Sequence, residues 1–159
     1  MKILIVSDTH RENSNFMKAL DKEKPIDLLI HCGDIEGSEY LYSQAARCAT
    51  HMVTGNNDFF SQLPSEKLFR IGSHTVFLTH GHRYYASMGP EYLIREALDR
   101  EADIVMYGHT HKPVAQYENG ILLLNPGSLT YPRQEGRRPS YIVMDVDRKG
   151  EIEVEIKYL

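Results

Sequence analysis

Residues 3–10 read ILIVSDTH, in which a short apolar run is followed at once by an aspartate and a histidine. Continuous apolar runs of this length are typical of strands that are buried on both faces. Two more such strands are predicted at Asp27–Ile30 and His51–Thr54. Helices are predicted between them, one over Asn13–Lys22 and one that Ser38 caps and that runs to about Cys48. The order strand, helix, strand, helix, strand predicts an α/β fold.

The second half of the sequence is mainly extended. Lys67–Ile71 and Thr75–Thr79 predict a hairpin, Pro90–Arg100 a helix and Ile104–Tyr107 a buried strand. Four further segments follow with no helix between them, which predicts a β-meander. They are Val114–Tyr117, Ile121–Leu124, Tyr141–Val146 and Ile152–Ile156. We therefore expect one domain over residues 1–159, with two mixed β-sheets stacked face to face and helices outside them.

Composition argues against several classes of protein. The chain is 42% hydrophobic and 25% charged, and its net charge is -4. These values are ordinary for a globular domain and do not favour bulk binding to nucleic acid or to a membrane surface. The two cysteines form no CxxC pair, so a disulfide framework is not expected and a reduced, cytoplasmic location is the simplest expectation. No signal peptide is recognisable, and no segment approaches the roughly 20 apolar residues that span a membrane.

Side chains that bind metals recur directly after five predicted strands. They are Asp8 with His10, Asp34, Asn56, His80, and His109 with His111. Strand ends of this kind meet at one edge of an α/β sheet, so we expect these side chains to converge there. In an extended segment, residues two apart point the same way, which would let Asp8 and His10 share one centre. The same argument applies to the two histidines of the last motif. Neighbouring glycines would allow the backbone to approach a metal or an anion closely.

The types of ligand in this set indicate the metal. Imidazole nitrogens with carboxylate and amide oxygens suit Mn, Fe, Co, Ni or Zn better than Mg. Seven ligands exceed what one tetrahedral ion needs, but they can serve two ions if one carboxylate bridges. Each motif alone is often only a helix cap, a turn or a surface histidine. The prediction therefore depends on the whole ordered set.

That set, read as DxH, GD, GN, H and GHxH, resembles the calcineurin-like metallophosphoesterase superfamily. The resemblance extends from Asp8 to Ser128 and is strongest to the compact YfcE-like phosphodiesterases and to the related scaffold protein Vps29. It implies a four-layer αββα sandwich with a dinuclear centre. One metal would be held by Asp8, His10, Asp34 and His111. The other would be held by Asp34, Asn56, His80 and His109, so that Asp34 bridges the two.

The resemblance also implies an activity. Two divalent ions, manganese first among the candidates, would draw in a small phosphoester, and a hydroxide bridging them would hydrolyse a phosphodiester. A phosphomonoesterase with the same centre is one alternative. A protein-interaction scaffold like Vps29 is another, although Vps29 lacks the complete set of ligands that is present here. Self-association into a homo-oligomer is compatible with the resemblance.

Four further residues are candidates for substrate binding or catalysis. Asn57 stands where many relatives carry a histidine that protonates the leaving group, so esters with good leaving groups are expected to react best. Asn57 can still donate a hydrogen bond to a phosphoryl oxygen, and His82 can reach the phosphate or the leaving group. Asp58 can orient a neighbouring ligand. Arg11 adjoins the first motif and can contact substrate. Each has an ordinary alternative as a turn residue or a solvated loop residue.

Overall fold

The computed structural model describes residues 1–159 as ten strands and three α-helices. In chain order these are β1 Lys2–Val6, α1 Asn13–Glu23, β2 Leu28–His31, α2 Glu39–Ala46, β3 Ala49–Met52, β4 Glu66–Ile71, β5 His74–Thr79, α3 Glu91–Asp99, β6 Ile104–Met106, β7 Pro113–Glu118, β8 Ile121–Pro126, β9 Ser140–Val146 and β10 Ile152–Tyr158. A short 3-10 helix covers His82–Tyr84 after β5. None of the helices has the length and apolar character needed to span a bilayer.

The strands form two five-stranded sheets, and both are mixed as predicted. The first has the order β10-β9-β1-β2-β3, with β1, β2 and β3 parallel and the last two strands of the chain antiparallel beside them. The second has the order β4-β5-β6-β8-β7, with β5, β6 and β8 parallel. Its edge strands β4 and β7 are antiparallel. The parallel strands of both sheets end near the loops that carry the predicted ligands.

Three apolar clusters stack the molecule into four layers. Strand β1 illustrates this layering, because its side chains alternate between two clusters. Ile3 and Ile5 lie in the cluster between the two sheets, whereas Leu4 and Val6 pack with α1 and α2 on the outer face. A third cluster packs α3 on the outer face of the second sheet through Phe77 and other side chains. The predicted αββα sandwich is confirmed.

The predicted β-meander is wrong. The last four strands form two separate hairpins, with β7–β8 in the second sheet and β9–β10 in the first. The chain crosses between the sheets after β8, and this crossing segment is tied to the loop after β1. Ser128 donates to the carbonyl of Asp8, and the Thr130 hydroxyl donates to the carbonyl of Thr9. Sequence spacing did not reveal this crossing, since apolar segments look alike in either sheet.

Several predicted boundaries also differ by one or two residues, and two of these differences have a visible cause. Strand β3 covers Ala49–Met52 rather than His51–Thr54, because the amide of Thr54 leaves the sheet and donates to the carbonyl of Pro64. Helix α2 ends at Ala46 rather than at about Cys48. It stops there because Arg47 adopts a left-handed conformation, with a φ of 53°, as helix-ending residues often do.

Candidate metal centre

The loops after β1, β2, β3, β5 and β6 meet at one edge of the sandwich. Backbone hydrogen bonds connect them: the amide of Asp8 donates to Gly33 O and that of His10 to Asp34 O, each at 3.0 Å. Within the second sheet, the amide of Gly108 after β6 donates to His80 O after β5 at 3.1 Å. The predicted convergence of these strand ends is thus present in the structure.

Five of the predicted ligands form two overlapping groups. Asp8, His10 and His111 have ligand atoms within 4.8 Å of one another, and so do Asp8, Asp34 and His80. The two groups have Asp8 in common, and Asp34 of the second group also approaches the first, because its Oδ2 is 3.8 Å from His10 Nε2 and 3.5 Å from His80 Nε2. The shortest of these distances, 2.9 Å, joins His111 Nε2 to Asp8 Oδ1. This arrangement offers nitrogen and oxygen ligands to two neighbouring positions.

Asp8 is fully buried and its two carboxylate oxygens are used differently. Oδ2 accepts a hydrogen bond from the Ser7 hydroxyl at 2.6 Å and one from the amide of His109 at 3.1 Å. Oδ1 makes no hydrogen bond of acceptable geometry within the protein, although His111 Nε2 lies 2.9 Å from it. The surrounding loop therefore fixes the carboxylate through one oxygen and leaves the other directed at the histidines.

Three of the histidines are held through Nδ1. His10 faces Glu36 Oε1, His80 faces the carbonyl of Cys32 and His111 faces the carbonyl of Tyr131, each at 2.7 Å. A carboxylate or carbonyl at this position requires Nδ1 to carry a proton, which leaves Nε2 of a neutral ring with its lone pair. This is the usual orientation of histidine ligands of metals in proteins.

Unpaired buried atoms show whether these residues suit a metal. Asp8 Oδ1 and His80 Nε2 are both inaccessible and have no hydrogen-bond partner, and they lie 4.0 Å apart. Leaving a buried polar group unsatisfied costs roughly 1–3 kcal/mol. A cation between them would satisfy both atoms, and the imidazole and carboxylate donors match Mn, Fe, Co, Ni or Zn. The residues therefore fit a metal centre.

The charges of this cluster are strongly coupled. Burial lowers the pKa of His80, but the carboxylates of Asp34 and Asp8 outweigh burial and raise this pKa to about 9. Burial likewise raises the pKa of Asp34, but the close approach and charge of His80, with two hydrogen bonds from Asn57, lower this pKa well below its ordinary value. Protons therefore occupy the same nitrogen that a metal would use, so the two must compete.

The remaining predicted ligands lie at the rim of this cluster. The ring of His109 is 5.3 Å from that of His80, centroid to centroid, and burial lowers its pKa. Asn56 is exposed and follows the same strand, β3, as its neighbour Asn57. Neither side chain belongs to the two groups of carboxylates and imidazoles described above.

Asn57 and Asp58 both support Asp34. The amide of Asn57 donates to Asp34 Oδ1 at 2.9 Å, and its side-chain Nδ2 donates to Asp34 Oδ2 at 2.7 Å. The Asp58 carboxylate accepts four backbone N–H groups, from Gly55, Asp34, Ile35 and Glu36. Asp58 therefore organises the loop that presents Asp34, as a partner of a ligand does.

His82 and Arg11 lie on either side of the centre. The ring of His82 is 5.4 Å from that of His80 and 6.1 Å from that of His109. Burial and the neighbouring positive charges lower the pKa of His82 to about 4. Arg11 is exposed, and its Nε donates to the carbonyl of Glu36. Arg11 lies in the loop after β1 of the first sheet, and His82 lies after β5 of the second sheet.

The prediction that residues two apart converge through an extended backbone is wrong in its geometry. Asp8, His10, His109 and His111 all have positive φ, between 46° and 67°. As a result, His111 reaches the group of Asp8 and His10, whereas the ring of His109 turns toward His80. Left-handed residues outside glycine are uncommon and concentrate at functional sites, where the surrounding structure holds them.

Two of the neighbouring glycines lie close to side chains of the site. A Cβ on Gly55 would overlap Asp34 Oδ1, and one on Gly108 would overlap the Ser7 hydroxyl and Asp8. The backbone at these positions lies directly against the carboxylates. Only glycine allows that approach.

Several supporting residues were missed from the sequence. Glu36 orients His10, and the buried His31 joins two of the loops. His31 accepts the amide of Gly33 at Nδ1, so Nε2 carries the proton toward the Thr9 hydroxyl at 3.1 Å. Burial lowers the pKa of His31 to about 3, which keeps this ring neutral. No motif marks these residues, although His31 comes directly before the Cys32-Gly33-Asp34 turn.

Comparisons with known proteins place similar sequences among metallophosphoesterases. The calcineurin-like phosphoesterase superfamily domain matches residues 1–149. A probable metallophosphoesterase of Mycoplasma genitalium is 30% identical over 161 residues, which cover 99% of this chain and 95% of that protein. A phosphodiesterase of Methanocaldococcus jannaschii is 31% identical over 147 residues, covering 80% and 83%. The resemblance of the motifs to this superfamily is thereby confirmed.

Solved structures show the same fold. A predicted phosphoesterase of Streptococcus pneumoniae superposes with a TM-score of 0.85 at 30% identity, covering 99% of this chain and 88% of that one. Vps29 of Entamoeba histolytica, solved with zinc, superposes with a TM-score of 0.79 at 22% identity, covering 99% of both chains. At this identity, the similarity to Vps29 concerns the fold alone. The chain belongs to the calcineurin-like phosphoesterase superfamily.

Proposed function

We propose that this protein is a metal-dependent phosphodiesterase. The observation that carries the proposal is the pair of buried, unpartnered atoms, Asp8 Oδ1 and His80 Nε2, at the meeting point of the five loops. Histidines that serve only to stabilise a fold normally have both ring nitrogens satisfied. The relatives described above include a phosphodiesterase and a probable metallophosphoesterase, which agrees with this assignment.

The proposed centre holds two divalent ions, with manganese as the first candidate and Ni, Co, Fe or Zn as substitutes. Asp8, His10 and His111 would form one half, and His80, His109 and Asn56 the other, with Asp34 shared. The position of Asp34 Oδ2 between His10 and His80 supports this sharing. When bound, such ions supply Lewis acidity toward phosphoryl oxygens and lower the pKa of water.

The chain's own residues would act on substrate from both sides of the centre. Asn57 lies against Asp34 and has no proton to give to a leaving group, so it can only donate a hydrogen bond. His82 is the ionisable side chain on the opposite side, next to His80 and His109. Protonation of a leaving group by a positioned acid contributes typically 10²–10⁴-fold to the rate. Without it, aryl esters should react much faster than alkyl esters.

A panel of substrates tests the proposal. Aryl phosphodiesters and phosphomonoesters with leaving groups of different pKa would be incubated with the protein and Mn²⁺. We expect the diesters to be turned over faster and the rate to fall steeply as the leaving-group pKa rises. Asn57→His should flatten that dependence, and Asn57→Ala should cost less activity than loss of a ligand. A flat dependence in the wild type, with chemistry rate-limiting, would instead assign the acid to His82.

Two other outcomes would overturn the assignment. Faster turnover of monoesters than of diesters would make the protein a phosphomonoesterase with the same centre. Metal binding without turnover of any ester would favour an interaction scaffold, a function compatible with the fold that the chain shares with Vps29. Asp34→Asn, which removes the shared carboxylate, is the control for turnover by a contaminant.

A further inference from the structure

A cavity of about 460 Å³ lies on the side of the proposed centre that holds His10 and His111. Its wall is the segment that crosses from β8 to β9, and the lining residues are Thr130, Tyr131, Pro132, Arg133 and Arg137. The Tyr131 ring lies 5.1 Å from the ring of His10, centroid to centroid. The carbonyl of Tyr131 accepts a hydrogen bond from His111 Nδ1 at 2.7 Å. The cavity therefore adjoins two of the proposed ligands.

Hydrogen bonds anchor this wall to the loops that carry the ligands. The Thr130 hydroxyl donates to the carbonyl of Thr9 at 2.8 Å, and the amide of Arg133 donates to the carbonyl of His111 at 3.0 Å. The amide of Arg137 closes a turn within the same segment, where Arg137 itself has a positive φ of 44°. Because the backbone is fixed at these points, both arginines are held in the wall next to the centre.

The charge of this wall is entirely positive. Arg133 and Arg137 are exposed, and neither guanidinium group has a hydrogen-bond acceptor or an ion-pair partner within the protein. No carboxylate lines the cavity. The guanidinium of Arg138, in the same segment, is instead packed over the ring of Tyr158, 4.9 Å from the ring centroid. Two uncommitted guanidinium groups therefore border one cavity.

The other cavity at the centre, which includes Asn57, differs in charge. It is lined by Glu36, Glu39 and Asp58 together with a single arginine, Arg11. Carboxylates repel a further negative charge at short range. An anionic arm of a substrate bound at the centre is therefore directed away from these carboxylates and toward Arg133 and Arg137.

We propose that the cavity at Arg133 and Arg137 binds a second phosphate group, carried on one arm of the substrate. A guanidinium presents its N–H groups in a planar fork that matches two phosphoryl oxygens, so each arginine can make a bidentate, charge-assisted contact. A neutral arm offers these groups nothing that water does not. The preferred substrates are thus phosphodiesters with a terminal phosphomonoester on one arm. This inference rests on the proposed phosphodiesterase function and adds the class of substrate to it.

Matched pairs of ligands measure the contribution of the second phosphate. Alkyl phosphates with arms of two, four or six carbons would be compared with the same molecules carrying a terminal phosphonate. Their affinities for the protein with Mn²⁺ would be measured by calorimetry at low ionic strength, where exposed charge pairs are screened least. We expect the best phosphonate to bind about tenfold more tightly than its alkyl partner, as two exposed charge pairs allow. Equal affinities at every arm length would overturn the proposal.

Three variants separate the two arginines from the general charge of the segment. Arg133→Gln and Arg137→Gln should each reduce the affinity ratio within a ligand pair about threefold, in the range of one exposed charge pair. Arg138→Gln removes the same charge from the same segment, but its guanidinium packs on Tyr158, so this matched control should keep the wild-type ratio. An equal fall of the ratio in all three variants would show a general electrostatic effect and overturn the site.

Binding of inorganic phosphate keeps the test independent of turnover. In the protein as purified, without added metal, phosphate should shift the NMR signals of the Nε–H groups of Arg133 and Arg137 and leave that of Arg138 unchanged. Such shifts without any gain from the terminal phosphonate would assign the cavity to a separate anion and overturn the substrate proposal. Absence of shifts at both arginines would contradict the site itself. Failure to hydrolyse any ester, with the affinity ratio intact, would contradict only the phosphodiesterase assignment.

Discussion

Strand β5 carries a histidine at each end, and the two differ in one nitrogen. At the end remote from the proposed centre, His74 has both nitrogens engaged, Nδ1 with Asp103 at 2.6 Å and Nε2 with the carbonyl of Gly150 at 2.8 Å. At the other end, His80 uses Nδ1 on the carbonyl of Cys32 and leaves Nε2 without a partner among buried carboxylates. Both ring nitrogens of His74 face hydrogen-bond acceptors, so each must carry a proton and the ring is cationic.

This difference separates a histidine that stabilises the fold from one that can bind a metal. His74 joins β5 to the loop before β6 and to the turn between β9 and β10, and its hydrogen bonds are complete. His80 is also oriented through Nδ1, but its second nitrogen makes no hydrogen bond within the protein. The ordered motifs predicted His80 and not His74 as a ligand, but the hydrogen bonds that distinguish the two rings are visible only in the structure. The comparison can be tested at both ends.

The largest effect is expected at the end that holds His80. Asp34→Asn removes the charge shared by the two halves of the proposed centre, so metal and activity should be lost together. The loss should exceed the roughly 10–100-fold that removing a ligand's hydrogen-bonding partner costs. His111→Ala should be milder for total metal content, because His111 contacts only the half formed by Asp8 and His10. His74→Asn is the matched control and should keep both metal and activity.

Metal content by mass spectrometry and turnover of an aryl phosphodiester would be measured on the same samples of these variants. Two ions bound to Asp34→Asn with wild-type affinity would contradict the shared role of that carboxylate. Loss of metal in the His74 variant would erase the contrast between the two ends.

An intermediate effect is expected for a residue that orients a ligand. Glu36→Ala removes the carboxylate at His10 Nδ1, so the ring can turn or change tautomer. We expect manganese affinity to fall by about 10–100-fold with the fold intact. Calorimetric titration would measure this against Glu135→Ala, a change of a glutamate at an exposed loop position. Unchanged affinity would show that Glu36 does not support the centre.

The smallest effect concerns stability at the His74 end. The carbonyl of Gly150 and the carboxylate of Asp103 raise the pKa of His74 above its ordinary value of about 6.5. A raised pKa in the folded state gives stability that is complete below the unfolded pKa and is lost as pH rises through the folded pKa. His74→Asn should therefore destabilise the protein more at pH 6 than at pH 9. We expect a difference of roughly 0.2–1 kcal/mol, the range of partly exposed charge pairs.

Urea unfolding of wild type and variant at both pH values isolates the contribution of His74 to the free energy of unfolding, since His80 titrates equally in the two proteins. A larger destabilisation at pH 9 would show that His74 is not a cation in the folded protein.

The sequence predicted the elements of the site better than their geometry. Ligands after parallel strands must meet at one edge, so the convergence of Asp8, Asp34 and His80 followed from the order of the strands. The turn of His109 away from His111 did not, because it depends on left-handed backbone conformations that only the packed loops impose. His31 was missed for a similar reason. Its role exists only through contacts with Thr9 and Gly33 from two different loops.

For the fold, too, some features could be predicted from the sequence and others could not. Buried strands and amphipathic helices could be recognised from apolar spacing, and this was enough to predict two stacked sheets with helices outside them, while the four-layer αββα sandwich was implied by the family resemblance. The crossing from β8 to β9 could not, since it is held by hydroxyl groups of Ser128 and Thr130 on the loop after β1. Such hydrogen bonds leave no periodic pattern.

The central claim is that the unpartnered atoms around Asp34 form a metal-dependent hydrolytic centre. The most direct measurement is turnover of an aryl phosphodiester by one preparation before chelation, after removal of metal with EDTA and after return of Mn²⁺. Metal content would be determined at each step. The account predicts that activity disappears with the metal and returns with Mn²⁺, Ni²⁺ or Co²⁺ as close to two ions per chain are bound. Full activity in a demonstrably metal-free preparation would contradict it.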